Sequence, residues 1–326
     1  MFQENVILSR FSNYKIGGPA KYFFEAKNVE ETIKALDKWS RLYSDGRVRI
    51  AEGRRPEARY SHAIFILAGG TNVLINDEGF NGLILKPNIQ FIKEERDLIR
   101  VGAGVPITEL LNYSITKSFS DLEWAAGIPG TIGGAIYGNA GAFGGEMKDI
   151  IKEVVSLDIS GKKPKIIKRS QPECRFDYRH SIFKKKGNQE IIIEAALYLR
   201  KGDKKRIQEI MEANMDYRRQ KQPLEYPSIG SIFKNVGLKK AKEAPKIPQN
   251  IIKTDPFPVI PAAFLVSEAG LKGISCGGAM ISPKHPNFIV NVLGATANDV
   301  KNLIALAKKK VYNEFKIKLE EEVVRL

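Results

Sequence analysis

The sequence has few of the residues that build covalent or metal-held scaffolds. Its 326 residues include only two cysteines, Cys174 and Cys276, and three scattered histidines. Without a C-x-x-C pair or a cluster of ligands, neither a disulfide framework nor a zinc site is expected, and no metal is assigned. The amino end shows neither a basic leader nor the apolar core of a signal peptide. A cytoplasmic location with reduced thiols is therefore expected.

Long apolar runs are also scarce. Residues 124–145 form an uncharged stretch, but its many glycines and Pro129 would leave backbone groups bare in lipid, which argues against a membrane helix. The chain is 43% apolar and 9% aromatic, without low-complexity tracts. This composition predicts a globular protein with two or three hydrophobic cores.

Acidic residues are fewer than basic ones, 37 against 52, which gives a net charge of +15. The lysines are dispersed and lack interleaved aromatics or a DNA-binding signature, so solvated surfaces are favoured over a nucleic-acid site. A basic average also suits a small polyanionic substrate, whose capture it would speed. We therefore expect no nucleic-acid or membrane partner. The sequence does not determine the oligomeric state and is compatible with a monomer.

Hydrophobic periodicity predicts a small α/β unit, then an α+β unit, then a third stretch of helices and a strand. The first has a strand at 22–24 and a helix at 28–39. The second has a helix at 107–117 and strands at 64–67, 73–75, 83–85, 98–101, 154–159 and 191–199. The third has a strand at 288–292 and helices at 203–219, 262–269 and 296–315, the last with a Thr-x-x-Asp capping box. Residues 40–62 are predicted to be an irregular insertion, and residues 221–230 and 239–261 to be loops.

Two glycine-rich segments are candidate ligand sites. G-G-T-N at 69–72 lies between two predicted strands, where its N–H groups could form an anion nest, although a hairpin turn would look similar. Residues 126–144 bury little side chain for their entropy cost, so a ligand filling the space is the better explanation. Neither segment is a Walker A loop or a G-x-G-x-x-G fingerprint, so a nucleotide would have to be bound in another way.

Several shorter stretches are ordinary when taken singly: Y-R-x-S-x-F at 178–183, G-S-x-F-K-N at 230–235 and L-E-x-E-V at 319–323. Their order is more informative when K-I-G-G-P-A at 15–20, N-A-G-A-F-G at 139–144 and H-x-N-F at 285–288 are added. Over nearly its whole length the chain resembles the UDP-N-acetylenolpyruvoylglucosamine reductases, flavin enzymes of bacterial peptidoglycan precursor synthesis.

The resemblance implies an α+β fold, with a two-lobed FAD-binding module of the vanillyl-alcohol-oxidase (PCMH) type and a C-terminal α+β substrate-binding domain. Lobe 1 would be residues 1–65, joined by 317–326, lobe 2 residues 66–201, and the substrate domain residues 202–316. The short interval between Arg179 and Ser231 favours the short form of the enzyme, type II. Ala68 and Val236 depart from the family pattern, and residues 40–62 and 239–257 are longer than the family's loops.

The resemblance also implies the chemistry and the residues that perform it. FAD would be the cofactor, NADPH the co-substrate, and UDP-N-acetylglucosamine enolpyruvate the substrate that is reduced to UDP-N-acetylmuramate. The catalytic residues would be Arg179, Ser231 and Glu322, and the substrate would also contact Tyr178, Lys221 and Asn235. The cofactor would be bound by Gly69, Gly70, Thr71, Asn72, Ile128, Pro129, Gly130, Gly133, Asn139, Gly141 and Arg218.

Two alternatives remain open from the sequence. One is another FAD-dependent oxidoreductase of the same fold. The other is a serine hydrolase, because residues 273–277 match G-x-S-x-G around Ser275. A nucleophile elbow requires a strand before the serine and a helix after it. The predicted elements around Ser275 have the opposite order, which disfavours the hydrolase.

Overall fold

The computed structural model describes residues 2–44, 63–161, 163–238, 247–254 and 257–326. The chain divides into two compact units. Unit 1 comprises Met1–Val6, Pro19–Gly69 and Phe80–Met215. Unit 2 comprises Ile7–Gly18, Gly70–Gly79 and Asp216–Leu326. No helix within the described ranges is both long and apolar enough to cross a bilayer.

The described residues contain both strands and helices. The strands are β1 (Gln3–Ile7), β2 (Pro19–Ala26), β3 (Ile64–Ile66), β4 (Val73–Leu74), β5 (Phe80–Pro87), β6 (Ile92–Glu95), β7 (Leu98–Gly102), β8 (Gly141–Ala142), β9 (Gly145–Glu146), β10 (Ile151–Asp158), β11 (Lys165–Ser170), β12 (Glu190–Leu197), β13 (Val236–Gly237), β14 (Val259–Ile260), β15 (Ser275–Cys276), β16 (Ala279–Ile281), β17 (Ile289–Asn291) and β18 (Val324–Arg325). The helices are α1 (Val29–Ser44), α2 (Ile107–Lys117), α3 (Ile132–Gly138), α4 (Met147–Ile150), α5 (Ile182–Lys186), α6 (Lys204–Lys221), α7 (Ala262–Glu268) and α8 (Ala297–Phe315).

Unit 1 contains a four-stranded sheet in the order β1-β2-β5-β3, in which β5 pairs in parallel with both β2 and β3. Leu83, Ile84 and Leu85 of β5 are fully buried. A continuous apolar run of this kind is typical of a central parallel strand that is covered on both faces. Leu36 and Trp39 of α1 belong to the same core as Leu83 and Leu85. The helix therefore covers one face of this sheet.

A second sheet in unit 1 has the order β11-β10-β12-β7-β6 and is antiparallel. The central strand β12 is buried along almost its whole length, whereas the edge strand β11 is largely exposed. Its core includes Val154 and Ala195, which pair across the sheet, and residues of α2 and α3. The glycine-rich segment 126–144 is anchored in this core through its buried residues Ala126, Ile132, Ala135 and Ile136.

Unit 2 is built around α8. The residues expected to form its apolar face are all buried, namely Val300, Leu303, Ala307 and Val311. The predicted capping box is present, because the Asp299 N–H donates to Thr296 Oγ1 at 3.1 Å and the Thr296 N–H donates to Asp299 Oδ2 at 2.9 Å. α7 and the sheet β15-β16-β17 pack in the same core. The chain thus forms three cores in its described part, within the number expected from its length.

Several elements differ from the sequence predictions. α1 continues to Ser44, because residues such as Arg41 and Leu42 favour a helix where an irregular insertion was expected. Residues 45–62, 239–246 and 255–256 of the two expected loops lie outside the described residues. The elements that were not predicted are β1, β6, β8, β9, β11, β13, β14, β15, β16, β18, α3, α4 and α5. The prediction of a loop at 239–261 is wrong at Val259–Ile260, which form β14 because they pair with β13. The three-part domain division stays a proposal, and its boundary at residue 66 would separate β3 from its sheet partner β5.

Candidate active site

The glycine-rich segments of unit 1 approach each other closely at Gly69 and Gly130. A Cβ atom on Gly69 would lie 2.7 Å from the Gly130 Cα atom, a distance that real side chains do not tolerate. Gly130 has a φ of +114°, and its carbonyl oxygen accepts from the Ile107 N–H at 3.0 Å. Gly133 donates its N–H to Ala103 O at 2.8 Å. Glycine at residue 69 is therefore required by close approach of the backbone.

The same segment contains a buried polar atom with no hydrogen-bond partner among the described residues, Thr131 Oγ1. Its neighbours Ile128 and Pro129 come just before the Gly130 turn, and Ile128 packs partly against the core of the second sheet. An unpaired buried hydroxyl costs about 1–3 kcal/mol. A polar ligand group beside the glycines would remove this cost, so the segment fits the phosphate and ring polar atoms of a dinucleotide cofactor.

Asn139, which follows α3, is fully buried and has a left-handed φ of +45°. Its Nδ2 donates to Glu146 Oε2 at 2.8 Å and to Asp177 O at 3.1 Å, and its Oδ1 accepts from the Lys148 N–H at 3.0 Å. The side-chain amide is thus engaged by groups of the protein itself. It connects the glycine-rich segment to the loop that precedes Arg179.

Arg179 is held from two sides within unit 1. Its Nη2 donates to Gly141 O at 3.0 Å, and its own carbonyl oxygen accepts from Lys184 Nζ at 3.2 Å. The guanidinium lies 5.2 Å from the centre of the Tyr178 ring. A φ of +53° at Arg179 is unusual for a side chain of this size. These contacts place a fixed cation beside Gly141, which is also a candidate cofactor contact.

The turn that carries Arg179 leads into α5, whose first residues are well anchored. Ser181 is fully buried, and its Oγ accepts from the Lys184 N–H at 3.1 Å and donates to Tyr137 O at 2.7 Å. The position of Arg179 is therefore set by a capped helix on one side and by the Asn139 contacts on the other.

In unit 2, the segment that begins at Ser231 runs antiparallel to the C-terminal segment that contains Glu322. The Glu322 N–H donates to Ile232 O at 2.8 Å, and the Lys234 N–H donates to Glu320 O at 2.9 Å. Phe233 and Glu321 form a β-bridge. The structure therefore brings the backbones of two candidate catalytic residues together within one unit.

Glu321, the neighbour of Glu322, has its carboxylate bound by two cations. The Glu321 carboxylate accepts hydrogen bonds from Lys308 and from Arg325, the latter at 2.7 and 2.8 Å. Burial raises the pKa of Glu321, but the bonds from Arg325 and Lys308 outweigh burial, and the pKa lies below its ordinary value. The Glu321 carboxylate is thus paired with Lys308 and Arg325.

The rest of the G-G-T-N motif belongs to unit 2. Gly70 has a φ of +64°, and a Cβ atom there would lie 1.8 Å from Phe11 O, so only glycine fits. Asn72 donates its Nδ2 to Glu322 O at 3.2 Å, and its own carbonyl oxygen accepts from the Val324 N–H at 3.0 Å. Thr71 is half-buried between them. The motif thus also holds the strand of Glu322, which sequence reasoning did not anticipate.

The remaining candidates belong to unit 2 and lie at the C-terminal end of α6, which enters this unit at Asp216, and beside α7. Arg218 is only 8% exposed, its Nη1 donates to Gln222 Oε1 at 3.4 Å, and burial lowers the pKa of its guanidinium. Lys221 is exposed at the end of α6. Asn235 Oδ1 accepts from the first N–H of α7, that of Ala262, at 3.1 Å. These contacts fix Arg218 and Asn235, whereas Lys221 presents its ammonium group to solvent.

The site candidates are divided between the units. Unit 1 carries Gly69, Ile128, Pro129, Gly130, Gly133, Asn139, Gly141, Tyr178 and Arg179. Unit 2 carries Gly70, Thr71, Asn72, Arg218, Lys221, Ser231, Asn235 and Glu322. Sequence reasoning assigned no role to Lys184 or to Asn287, a buried amide that contacts Phe233. The H-x-N-F motif was the available signal for Asn287.

The rival motif around Ser275 is a hairpin. Ser275 is exposed in the two-residue strand β15, which pairs antiparallel with β16. Its Oγ is 3.5 Å from Gly273 O, within the same turn. A strand-to-helix elbow is absent at this serine, as the sequence indicated.

Comparison with known protein families identifies the class of protein to which the chain belongs. Residues 56–163 match the family profile described as "FAD binding domain". Together with the two sheets of unit 1 and the helices packed on them, this match defines an FAD-dependent oxidoreductase with an α+β cofactor module. Residues 222–326 match the profile described as "UDP-N-acetylenolpyruvoylglucosamine reductase, C-terminal domain".

Full-length relatives identify the family. The chain is 37% identical over 324 residues to the UDP-N-acetylenolpyruvoylglucosamine reductase of Lactobacillus gasseri, covering 98% of this chain and 92% of that protein. It is 35% identical over 325 residues to the enzyme of Lachnoclostridium phytofermentans, covering 98% and 91%. The crystal structure of the reductase from Thermus caldophilus matches with a TM-score of 0.74 and 28% identity, over 100% of this chain and 99% of that one. The chain belongs to the UDP-N-acetylenolpyruvoylglucosamine reductase family.

Proposed function

We propose that this chain reduces UDP-N-acetylglucosamine enolpyruvate to UDP-N-acetylmuramate with NADPH as the electron donor, a step of peptidoglycan precursor synthesis. The observation that supports it most is the pairing of the Ser231 segment with the Glu322 strand, because the proposed chemistry needs a proton donor and a carboxylate-polarising group together. Bound FAD would relay hydride from NADPH to the vinyl group of the substrate.

The residues that would hold FAD are the backbones around Gly69, Gly130, Gly133 and Gly141, with the Thr131 hydroxyl as a polar partner. This assignment rests on the close approach at Gly69 and on the buried, unsatisfied Thr131 Oγ1. Gly70, Thr71, Asn72 and the buried Arg218 are proposed to complete the cofactor contacts. The cofactor role of Asn139 is proposed to be indirect, because its amide is used by Glu146, Asp177 and Lys148.

Each catalytic residue has a role that suits its chemistry. The Arg179 guanidinium would bind the substrate carboxylate, on which negative charge accumulates as the double bond is reduced. Glu322 would hydrogen-bond to the same carboxyl group and polarise it. Ser231 would supply a proton to the carbon next to the carboxylate, and would regain it from solvent. The substrate thereby gains one hydride and one proton, and NADPH becomes NADP+.

Substrate contacts outside the reacting atoms are proposed for Tyr178, Lys221 and Asn235. Lys221 is exposed and can meet a diphosphate, and the net charge of +15 favours the approach of this polyanion. The short interval between Arg179 and Ser231 supports a type II enzyme. We also propose the three-part domain division, a cytoplasmic location, a monomeric state and the absence of a nucleic-acid partner.

The test is to incubate the purified protein with NADPH and UDP-N-acetylglucosamine enolpyruvate and to analyse the product by mass spectrometry. The proposal predicts NADPH oxidation in step with a product that has gained two hydrogen atoms. NADH in place of NADPH shows which nicotinamide is used. NADPH oxidation without this product would indicate a different FAD-dependent oxidoreductase, and a protein that binds no FAD would contradict the proposal.

A further inference from the structure

The H-x-N-F motif at 285–288 has no role in the chemistry proposed above, yet it forms an ordered turn before β17. The Ser282 N–H donates to Phe288 O at 2.9 Å, and the Phe288 N–H donates to His285 O at 2.8 Å. Asn287 within this turn is 3% exposed. The role of this buried side-chain amide can therefore be inferred from the groups to which it bonds.

Among the described residues, Asn287 forms three hydrogen bonds with the two residues that follow Ser231. The Ile232 N–H donates to Asn287 O at 2.8 Å. The Phe233 N–H donates to Asn287 Oδ1 at 2.9 Å, and Asn287 Nδ2 donates to Phe233 O at 2.8 Å. The side-chain amide therefore satisfies both backbone groups of Phe233, as a neighbouring strand would.

The opposite edge of residues 232–234 pairs with the C-terminal residues 320–322. Ile232 uses its carbonyl oxygen to accept from the Glu322 N–H at 2.8 Å, while its own N–H is donated to Asn287. Ile232, the residue after Ser231, thus bonds to Asn287 through its N–H and to Glu322 through its carbonyl oxygen. Displacement of this segment would move Ser231 and, through Ile232, Glu322 with it.

We propose that Asn287 is a positioning residue that sets the geometry of Ser231 and Glu322 for the substrate-reduction step. The inference rests on the proposed function for the roles of those two residues. Without the amide, two buried backbone groups of Phe233 lose their partners, and the segment relaxes to satisfy them elsewhere. A displacement of about 1 Å at a reacting group can lower a rate about a hundredfold. Flavin reduction by NADPH does not use Ser231 as a proton donor and is not affected.

The matched control is Asn291, the last residue of β17. Asn291 is also buried, at 8% exposure, and its amide also bonds to backbone groups, donating to Tyr14 O at 3.0 Å and accepting from the Ala295 N–H at 2.8 Å. Neither of these partners adjoins Ser231 or Glu322 in sequence. Asn291→Ala therefore reports the general cost of losing a buried amide in this region.

The experiment measures the two half-reactions separately by anaerobic stopped-flow absorbance, on protein with FAD bound. For Asn287→Ala we expect flavin reduction by NADPH within about twofold of the wild type and reoxidation by UDP-N-acetylglucosamine enolpyruvate slower by about 10- to 100-fold. Substrate affinity should change less than the reoxidation rate. Asn291→Ala should leave both rates within about twofold. Asn287→Asp, which keeps the acceptor for the Phe233 N–H, should retain more of the reoxidation rate than Asn287→Ala.

An unchanged reoxidation rate in folded Asn287→Ala, or an equal loss in Asn291→Ala, would overturn the proposal. Hydrogen exchange of peptides covering residues 230–235 and 319–323 provides a readout independent of turnover, and faster exchange of both is expected in Asn287→Ala. If the wild-type flavin is not reoxidised by the substrate, the proposed function fails. In that case unchanged exchange in Asn287→Ala would also overturn the positioning role.

Discussion

The Asn139 amide donates to the Asp177 carbonyl oxygen at 3.1 Å, which links the end of the glycine-rich helix α3 to the loop that carries Arg179. The two residues are 38 positions apart. Since the same amide also binds Glu146, a change at this one buried side chain should affect both the cofactor segment and the position of Arg179.

Replacement of Asn139 by alanine tests this connection. Loss of three buried hydrogen bonds, together with a positive φ that alanine tolerates poorly, should lower the free energy of unfolding by about 2–4 kcal/mol and weaken FAD retention. Asn5→Ala is the control, because Asn5 has a similar φ of 54° but is exposed and reports backbone strain alone. Urea unfolding and FAD content measure both variants. Equal destabilisation by the two substitutions would contradict the linking role.

Gly69→Ala should impair FAD binding by moving the backbone around Gly130, since the new Cβ atom would lie 2.7 Å from Gly130 Cα. We expect the dissociation constant for FAD to rise about tenfold or more, which corresponds to a loss of about 1.4 kcal/mol or more. Gly138→Ala is the matched control in the same segment, because nothing lies within 4 Å of its Cβ position. Fluorescence titration with FAD measures both, and similar affinities would show that the close approach is not part of the cofactor site.

Ser231→Ala and Glu322→Gln should separate the two half-reactions. Both variants should be reduced by NADPH at close to the wild-type rate. Transfer to the substrate should slow by about 10²- to 10⁴-fold, the range for loss of a positioned acid or base. Anaerobic stopped-flow absorbance of the flavin measures each step. If both half-reactions of Ser231→Ala proceed normally, the proton-donor role of Ser231 is wrong, and an equal loss of both would indicate misfolding or flavin loss.

His285 should make the stability of the protein depend on pH. Its ring contacts Phe288, with ring centres 4.7 Å apart, and its Nδ1 is buried without a hydrogen-bond partner in the described residues. Burial, and secondly the charge of Lys253, lowers the pKa of His285 from 6.5 to about 4. Between these values the unfolded chain binds a proton that the folded protein does not. Stability is therefore fully present above pH 6.5 and falls as the pH is lowered towards 4.

The size of this effect is at most about 3 kcal/mol, from 1.36 kcal/mol per pKa unit. His285→Gln removes the titrating group, so its unfolding free energy should fall less steeply over the same pH range. Urea unfolding at several pH values measures the difference between the two proteins. Parallel curves for wild type and variant would contradict the neutral, buried state of His285.

The sequence allowed much of the architecture to be predicted, because apolar periodicity is local. The buried face of α8 at Val300, Leu303, Ala307 and Val311 was predicted, as were the central strands β5, with shorter bounds (83–85), and β12, with bounds displaced towards the C-terminus (191–199). β11 was missed because only Ile166 and Ile167 interrupt its polar residues, and Ile166 is 60% exposed. An exposed edge strand has little hydrophobic pattern to detect.

The site was less predictable for a different reason. The resemblance supplied residue types and roles, but the contacts of Asn139 and Asn287 join residues far apart in sequence, 54 positions in the case of Asn287 and Phe233. No local pattern encodes which backbone groups a buried amide will meet. α3 was missed because its composition, I-G-G-A-I-Y-G, has low helix propensity, and packing against the second sheet stabilises it instead.

The most direct test of the account is the visible spectrum of the purified protein, recorded anaerobically as NADPH and then UDP-N-acetylglucosamine enolpyruvate are added. We expect a yellow flavin spectrum that bleaches with NADPH and returns when the substrate is added. A flavin that bleaches but is not restored by this substrate would contradict the proposed substrate. A colourless protein that FAD cannot reconstitute would contradict the cofactor site built from Gly69, Gly130 and Thr131.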